Sequence, residues 1–99
     1  MSIVNIAKEA VDTFKAGNGT VGTTPQKLAT INWPALKHIV VAAAAANGNT
    51  ITVGSSAGET TTGFILAAGE KTPPIYVDGT DRIWVVGGAA AQAYNWLAN

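Results

Sequence analysis

Few side chains in this 99-residue sequence are suited to catalysis or metal binding. His38 is the single histidine and cysteine is absent, so a transition-metal site or a Ser-His-Asp arrangement would depend on one imidazole. We expect His38 to be a partly exposed structural side chain at the start of a strand. The sequence therefore predicts neither a metal site nor a catalytic triad.

Carboxylates are the next candidates, and Glu59, Glu70, Asp78 and Asp81 all fall in predicted turns. Asp78 and Asp81 carry oxygen ligands of the kind that calcium prefers, but the ligand ladder of an EF-hand is absent and Asp-Gly is ordinary turn chemistry. The Gly- and Ser-rich stretch 54–58 lacks the strand-turn-helix setting of a nucleophile elbow. We expect no catalytic residue and no cofactor, and we classify the chain as a non-enzyme.

Aromatic side chains offer contact rather than catalysis. Rings on a β surface can stack on sugars or bases, but a nucleic-acid platform also needs nearby basic residues, which are lacking here. Trp84 and Tyr76 alternate with Val85 and Val77, so they face away from the main apolar set. We expect the N-terminal helix, the second layer of a sandwich or a neighbouring subunit to cover Trp84 and Tyr76, because aromatic residues are enriched at interfaces.

The length and composition indicate one small domain whose stability would increase on oligomerisation. The net charge is zero with 12% charged residues, which removes the electrostatic attraction to nucleic acid or to an acidic membrane surface. With no net charge, copies of the chain repel one another only weakly. This promotes association, which is a disadvantage for a free monomer but not for a subunit of an assembly. The most apolar run, residues 39–46, is too short to span a membrane, and the N-terminus lacks a signal-peptide pattern, so we expect synthesis in the cytoplasm.

The N-terminal residues differ from the rest of the sequence in the spacing of their apolar side chains. They place apolar side chains at helical spacing, and Gly17-Asn18-Gly19 is a typical helix end. We therefore predict an N-terminal amphipathic helix or arm over residues 1–19 and a β domain over residues 20–99. Packing of this helix on its own domain and packing on a neighbouring subunit remain equal alternatives. The apolar positions are Ile3, Ile6, Ala7, Ala10, Val11 and Phe14.

From Thr20 onward, short runs of Val, Ile, Thr and aromatic residues alternate with Gly, Asn, Asp and Pro about every ten residues. This pattern predicts an all-β fold, a single small antiparallel β-sandwich or barrel of about seven strands. The Asn47-Gly48 pair predicts a type I′ hairpin, and the alanine run before it is interpreted as strand. The predicted strands are 26–31, 37–45, 50–54, 61–66, 75–78, 82–87 and 91–97.

Three stretches resemble small virion proteins of tailed bacteriophages. They are HIVVAAAAANGNTITVGSS, GFILAAGEKTPPIYVD and DRIWVVGGAAAQAYNWLA, and the match covers residues 23–98. The motifs are β-turn and core signatures without functional residues. The resemblance implies a compact β-sandwich used as a capsid decoration (cement) protein, a head-fibre base or a similar accessory part. The sequence departs from the pattern at Ala42–Ala46 and at Pro73-Pro74.

From this resemblance we expect a virion protein that binds the outer surface of the phage head, contacts the major capsid protein and stabilises the capsid. A homo-oligomer is expected, with a trimer favoured, and neither nucleic acid nor membrane is a partner. The alternative is a tail, collar or head-fibre component, with a host-surface glycan-binding module as one form. The expected interface residues are Ile3, Ile6, Val11, Phe14, Trp33, Tyr76 and Trp84.

Overall fold

The computed structural model describes residues 15–29, 38–57, 63–77 and 79–99. These residues form seven strands and one short 3-10 helix, all strand pairings being antiparallel. The predicted all-β class and the small antiparallel sandwich of about seven strands are confirmed. The strands are β1 (Lys15–Val21), β2 (Gln26–Lys27), β3 (Ile39–Ala43), β4 (Ile51–Gly54), β5 (Phe64–Leu66), β6 (Trp84–Gly87) and β7 (Gln92–Ala98), with the 3-10 helix at Thr80–Arg82.

Two sheets face each other. One has the order β1-β7-β3 and the other has the order β2-β6-β4-β5. A bridged segment, residues 71–75, extends the first sheet, because Lys71 pairs with Ala42 and Ile75 pairs with Ile39 along the free edge of β3. Each sheet then contains four chain segments, and their order is that of a jelly roll, a double-sheet fold built from two Greek keys.

Period-two alternation places the core between the sheets. In β7, Tyr94, Trp96 and Ala98 are buried while Asn95 is exposed. The same alternation buries every second residue of β3 and β6, whereas Ile51, Thr52 and Val53 of β4 are all buried. The core is contiguous and consists of Val21, Leu28, Ile39, Val41, Ala43, Ile51, Val53, Leu66, Ile83, Val85, Tyr94, Trp96 and Ala98.

Strand β1 is a difference between expectation and structure. The predicted helix or arm lies outside the described residues up to Phe14, but Lys15–Val21 pairs with β7 along its whole length. The boundary at residue 19, and the role of Gly17-Asn18-Gly19 as a helix end, are therefore wrong. The glycines are needed for close approach, because an added Cβ at Gly17 would lie 2.6 Å from Cε2 of Trp96. Because Gly17 and Gly19 have no side chain, the rings of Trp96 and Tyr94 can lie against the neighbouring strand β1.

The predicted Asn47-Gly48 hairpin is also wrong. Strand β3 pairs with β7 and β4 pairs with β5 and β6, so the connection crosses from one sheet to the other. Neither residue has the positive φ that a type I′ turn requires. Instead, Nδ2 of Asn47 donates to the carbonyl of Ala93 and Oδ1 accepts from the amide of Ala93, both at 2.8 Å. The side chain thereby extends the β3–β7 ladder by one rung.

We expect Thr72→Val to lower the free energy of unfolding by about 1–3 kcal/mol. Thr72 is buried on the bridged segment, where its Oγ1 accepts from the amide of Val41 at 3.0 Å and its own amide donates to the carbonyl of Val41 at 2.8 Å. Valine keeps the shape but leaves the Val41 amide without its acceptor. Chemical denaturation measures the loss. Thr72→Ser keeps the hydroxyl and is the control; a larger loss for serine than for valine would contradict this role.

Candidate functional site

Among the described residues, the histidine and carboxylates that could take part in acid–base or metal chemistry are His38, Glu70 and Asp81. No group of three or more His, Asp or Glu side chains able to hold a metal ion lies within the described ranges. His38 is half-buried just before β3, where its backbone amide and carbonyl both bond to Asn99 at 2.9 Å. Glu70 accepts from the amide of Ala67 at 2.7 Å and closes a turn. Glu59 and Asp78 lie outside the described residues.

The outer face of the β1-β7-β3 sheet is a candidate contact surface. It consists of outward-pointing side chains from three strands, which we call the small-residue face: Ala16, Asn18, Val40, Ala42, Asn95 and Leu97. These residues line a shallow hollow of about 640 Å³, and Lys71 at its edge is the one charged side chain among the described residues that line it.

The small-residue face is arranged in rows across the strands. Leu97 lies between Ala16 and Val40, and Asn95 lies between Asn18 and Ala42. Val40, Ala42 and Leu97 are half-buried, whereas Ala16, Asn18 and Asn95 are exposed. Small and amide side chains allow close approach of another backbone and supply hydrogen-bonding groups without the cost of desolvating charges. The sheet can therefore pack against a partner through this face.

Sequence reasoning missed this surface, because Ala16 and Asn18 were assigned to the N-terminal arm. The signal is present in β3 and β7, where Val40, Ala42 and Leu97 alternate with the buried positions and point outward. An outward strand face composed of Ala, Val and Leu rather than charged residues is the feature that would have located it.

Of the seven predicted interface residues, Tyr76 and Trp84 lie within the described part of the chain. Ile3, Ile6, Val11, Phe14 and Trp33 lie outside the described residues. The structure does not bring Tyr76 and Trp84 onto the small-residue face. Trp84 is half-buried on β6 opposite Lys27 and Gly54, and Tyr76 follows the bridged segment. Both alternate with buried or half-buried valines as predicted. Their role as interface residues stays a prediction.

Tyr76 stands at the end of the sandwich where β3 begins and β4 ends. Its side chain is 79% exposed, which is the highest value among the exposed large hydrophobic residues of the described chain. The ring makes an edge-to-face contact with His38, with centroids 6.1 Å apart. It borders a cleft of about 570 Å³ together with Ser55, Asp81 and Arg82.

Comparisons with known proteins add a likeness in fold. No protein-family model matches the chain, and no curated protein matches it. Among solved structures, it is similar to a protein of the Bacillus endospore appendages, which are described as a novel family of disulfide-linked pili. The TM-score is 0.45 and the identity is 17%, over 87% of this chain and 84% of that one. This level of similarity does not bear on function.

Within the described ranges, no helix has the length and apolar character needed to cross a bilayer.

Proposed function

We propose that this chain is a structural protein of a bacteriophage virion, a decoration (cement) protein that binds the outer surface of the head and stabilises it. The small-residue face is the observation that carries the proposal. The resemblance of residues 23–98 to small virion proteins supports the same reading. Jelly rolls also occur among viral capsid domains, which is support by analogy of fold alone.

A cement protein acts by burying surface between neighbouring subunits. The small-residue face suits this task, because its Ala, Val, Leu and Asn side chains are short and uncharged and let another surface approach closely. Stable interfaces bury about 800 Å² on each partner. One sheet face supplies part of such an area, so we propose that the chain acts as a homo-oligomer whose copies together contact the major capsid protein. The expected trimer stays a prediction, which light scattering of the isolated protein tests.

Binding to heads assembled without this protein is the direct test. We expect the purified protein to sediment with such heads in a saturable manner. Leu97→Asp places a charge in the centre of the small-residue face and is expected to abolish co-sedimentation, because an unpaired carboxylate would be desolvated at the contact. Circular dichroism and thermal melting establish that the variant is folded.

Val86→Asp is the matched control. Val86 is half-buried on a central strand like Leu97, but it points outward from the opposite sheet. We expect this variant to bind heads as the unmodified protein does. Absence of co-sedimentation by the unmodified protein at saturating concentration would overturn the proposal. Equal loss for both variants would reject the small-residue face as the contact.

The exposed ring of Tyr76 favours a second candidate function. A tail, collar or head-fibre component that binds host-surface glycans would present an aromatic side chain beside polar groups at one end of the sandwich, as found here. Jelly rolls occur among lectin domains as well. A glycan array in which no sugar binds would count against this function.

A further inference from the structure

The cleft beside Tyr76 combines an aromatic surface with charged and hydroxyl groups. Ser55, Tyr76, Val77, Asp81 and Arg82 line it, and it is a wide, solvent-open depression of about 570 Å³. Three separate parts of the chain supply these residues: the end of β4, the segment after residue 75, and the 3-10 helix. The fold therefore builds this cleft from several elements.

The backbone beside Tyr76 is hydrogen-bonded to β3, while the Tyr76 ring is exposed. Its neighbour Ile75 exchanges two backbone hydrogen bonds with Ile39, both at 2.8 Å. The ring also meets the His38 ring at an interplanar angle of 64°. A rigid aromatic side chain loses little conformational entropy when a ligand binds to it. The ring can therefore serve as a stacking platform for a second apolar surface.

Two of the polar residues of the cleft lie on the 3-10 helix. Asp81 and Arg82 belong to the 3-10 helix, in which the amide of Arg82 donates to the carbonyl of Gly79 at 3.2 Å. Ser55, Asp81 and Arg82 each already interact with another group. A carboxylate has several lone pairs and a guanidinium has several N–H donors, so both retain capacity for a ligand.

We propose that this cleft is a carbohydrate-binding site that takes a pyranose ring, an inference that rests on the glycan-binding function given above as the second candidate. The apolar C–H face of the sugar stacks on Tyr76, while its hydroxyls donate to the Asp81 carboxylate and accept from Arg82 and Ser55. One carboxylate and one guanidinium side by side give no net charge, which suits a neutral sugar and not a phosphate backbone. The cleft is open and the contacts are few, so we expect dissociation constants of about 1 mM for single sugars.

Titration of the isolated, isotope-labelled protein with methyl pyranosides, followed by NMR amide shifts, tests the site. The probes are the methyl glycosides of glucose, galactose, mannose and N-acetylglucosamine, with sorbitol as an open-chain polyol control. We expect at least one glycoside to cause saturable shifts around residues 55, 76, 77, 81 and 82, and sorbitol to cause none. Because the isolated protein is used, the result is independent of head binding and of oligomer geometry.

Two variants should weaken this binding. Tyr76→Ala removes the stacking surface and is expected to lower affinity by about tenfold or more, whereas Tyr76→Trp should retain binding. Asp81→Asn removes the charged acceptor and should also weaken it. Ile65→Ala is the control for removal of an exposed apolar side chain. Glu70→Gln is the control for removal of a carboxylate, since Glu70 lies in the 67–70 turn and does not line the cleft.

Several results would overturn the carbohydrate site. They are the absence of saturable shifts with all four glycosides, shifts centred away from the cleft, and unchanged affinity of Tyr76→Ala. A change of oligomeric mass in Tyr76→Ala without a change in sugar binding would also overturn it and would assign Tyr76 to a subunit contact.

Discussion

Replacement of Trp96 by alanine is expected to lower the free energy of unfolding by about 3–5 kcal/mol. Trp96 is 5% exposed on the central strand β7 and lies between Gly17 of β1 and Val41 of β3. Removal of the indole leaves a cavity, and Gly17 on the neighbouring strand β1 has no side chain to fill it. Since whole domains are stable by about 5–15 kcal/mol, a large part of the folding free energy would be lost.

Leu97→Ala is the control for the Trp96 variant. Leu97 is the next residue on β7, but its side chain points outward and is half-buried. We expect a loss of about 1 kcal/mol, in proportion to its smaller burial. Urea denaturation followed by far-UV circular dichroism measures both variants without depending on tryptophan fluorescence. A loss for Trp96→Ala no greater than that for Leu97→Ala would contradict the core position of the indole.

Strand β7 shows what the sequence can and cannot predict about the fold. Alternation of Tyr94 and Trp96 with Asn95 and Leu97 predicts which side chains share a face, because successive strand residues point to opposite sides. It does not predict which strands lie beside β7. Its partners β1 and β3 are distant in sequence, and among the described strands only β4 and β5 are both consecutive and paired. Local turn signals such as Asn47-Gly48 therefore suggest hairpins that a jelly roll does not form.

The cleft beside Tyr76 likewise has features that the sequence predicts and features that depend on the topology of the fold. The orientation of Tyr76 away from the core is predictable, because it alternates with Ile75 and Val77 on a short strand-like segment. Its exposure in this chain is not, because the alternation alone does not show whether another element covers the ring. Its proximity to Ser55 and Asp81 is not predictable, because these residues come from different loops that the topology brings to one end of the sandwich. Strand β1 was missed for a local reason: glycine and alanine are poor strand formers, and the contacts of Gly17 with Trp96 and of Gly19 with Tyr94 depend on a pairing between strands that are distant in sequence.

Gly17→Ala is expected to lower the free energy of unfolding by about 1–3 kcal/mol, the usual cost of overpacking a filled core. The added Cβ would lie 2.6 Å from Cε2 and Cζ2 of Trp96, closer than real Cβ atoms approach other atoms. The indole is buried and cannot swing into solvent, so either the ring or β1 must shift. Gly48→Ala is the matched control, because its Cβ would meet no atom within 4 Å. Alanine there should be neutral or stabilising by about 0.4–1 kcal/mol through the unfolded state.

A double-mutant cycle separates the clash from the intrinsic effect of alanine in a strand. If the cost of Gly17→Ala arises from the indole, the same substitution in the Trp96→Ala background should cost little, because the methyl group then enters the cavity that the ring has left. The coupling energy between residues 17 and 96 should therefore be large, while the coupling between residues 48 and 96 should be close to zero. An equal cost of Gly17→Ala in both backgrounds would show that the ring does not require glycine at this position, and the packing of β1 over Trp96 would lose its physical explanation.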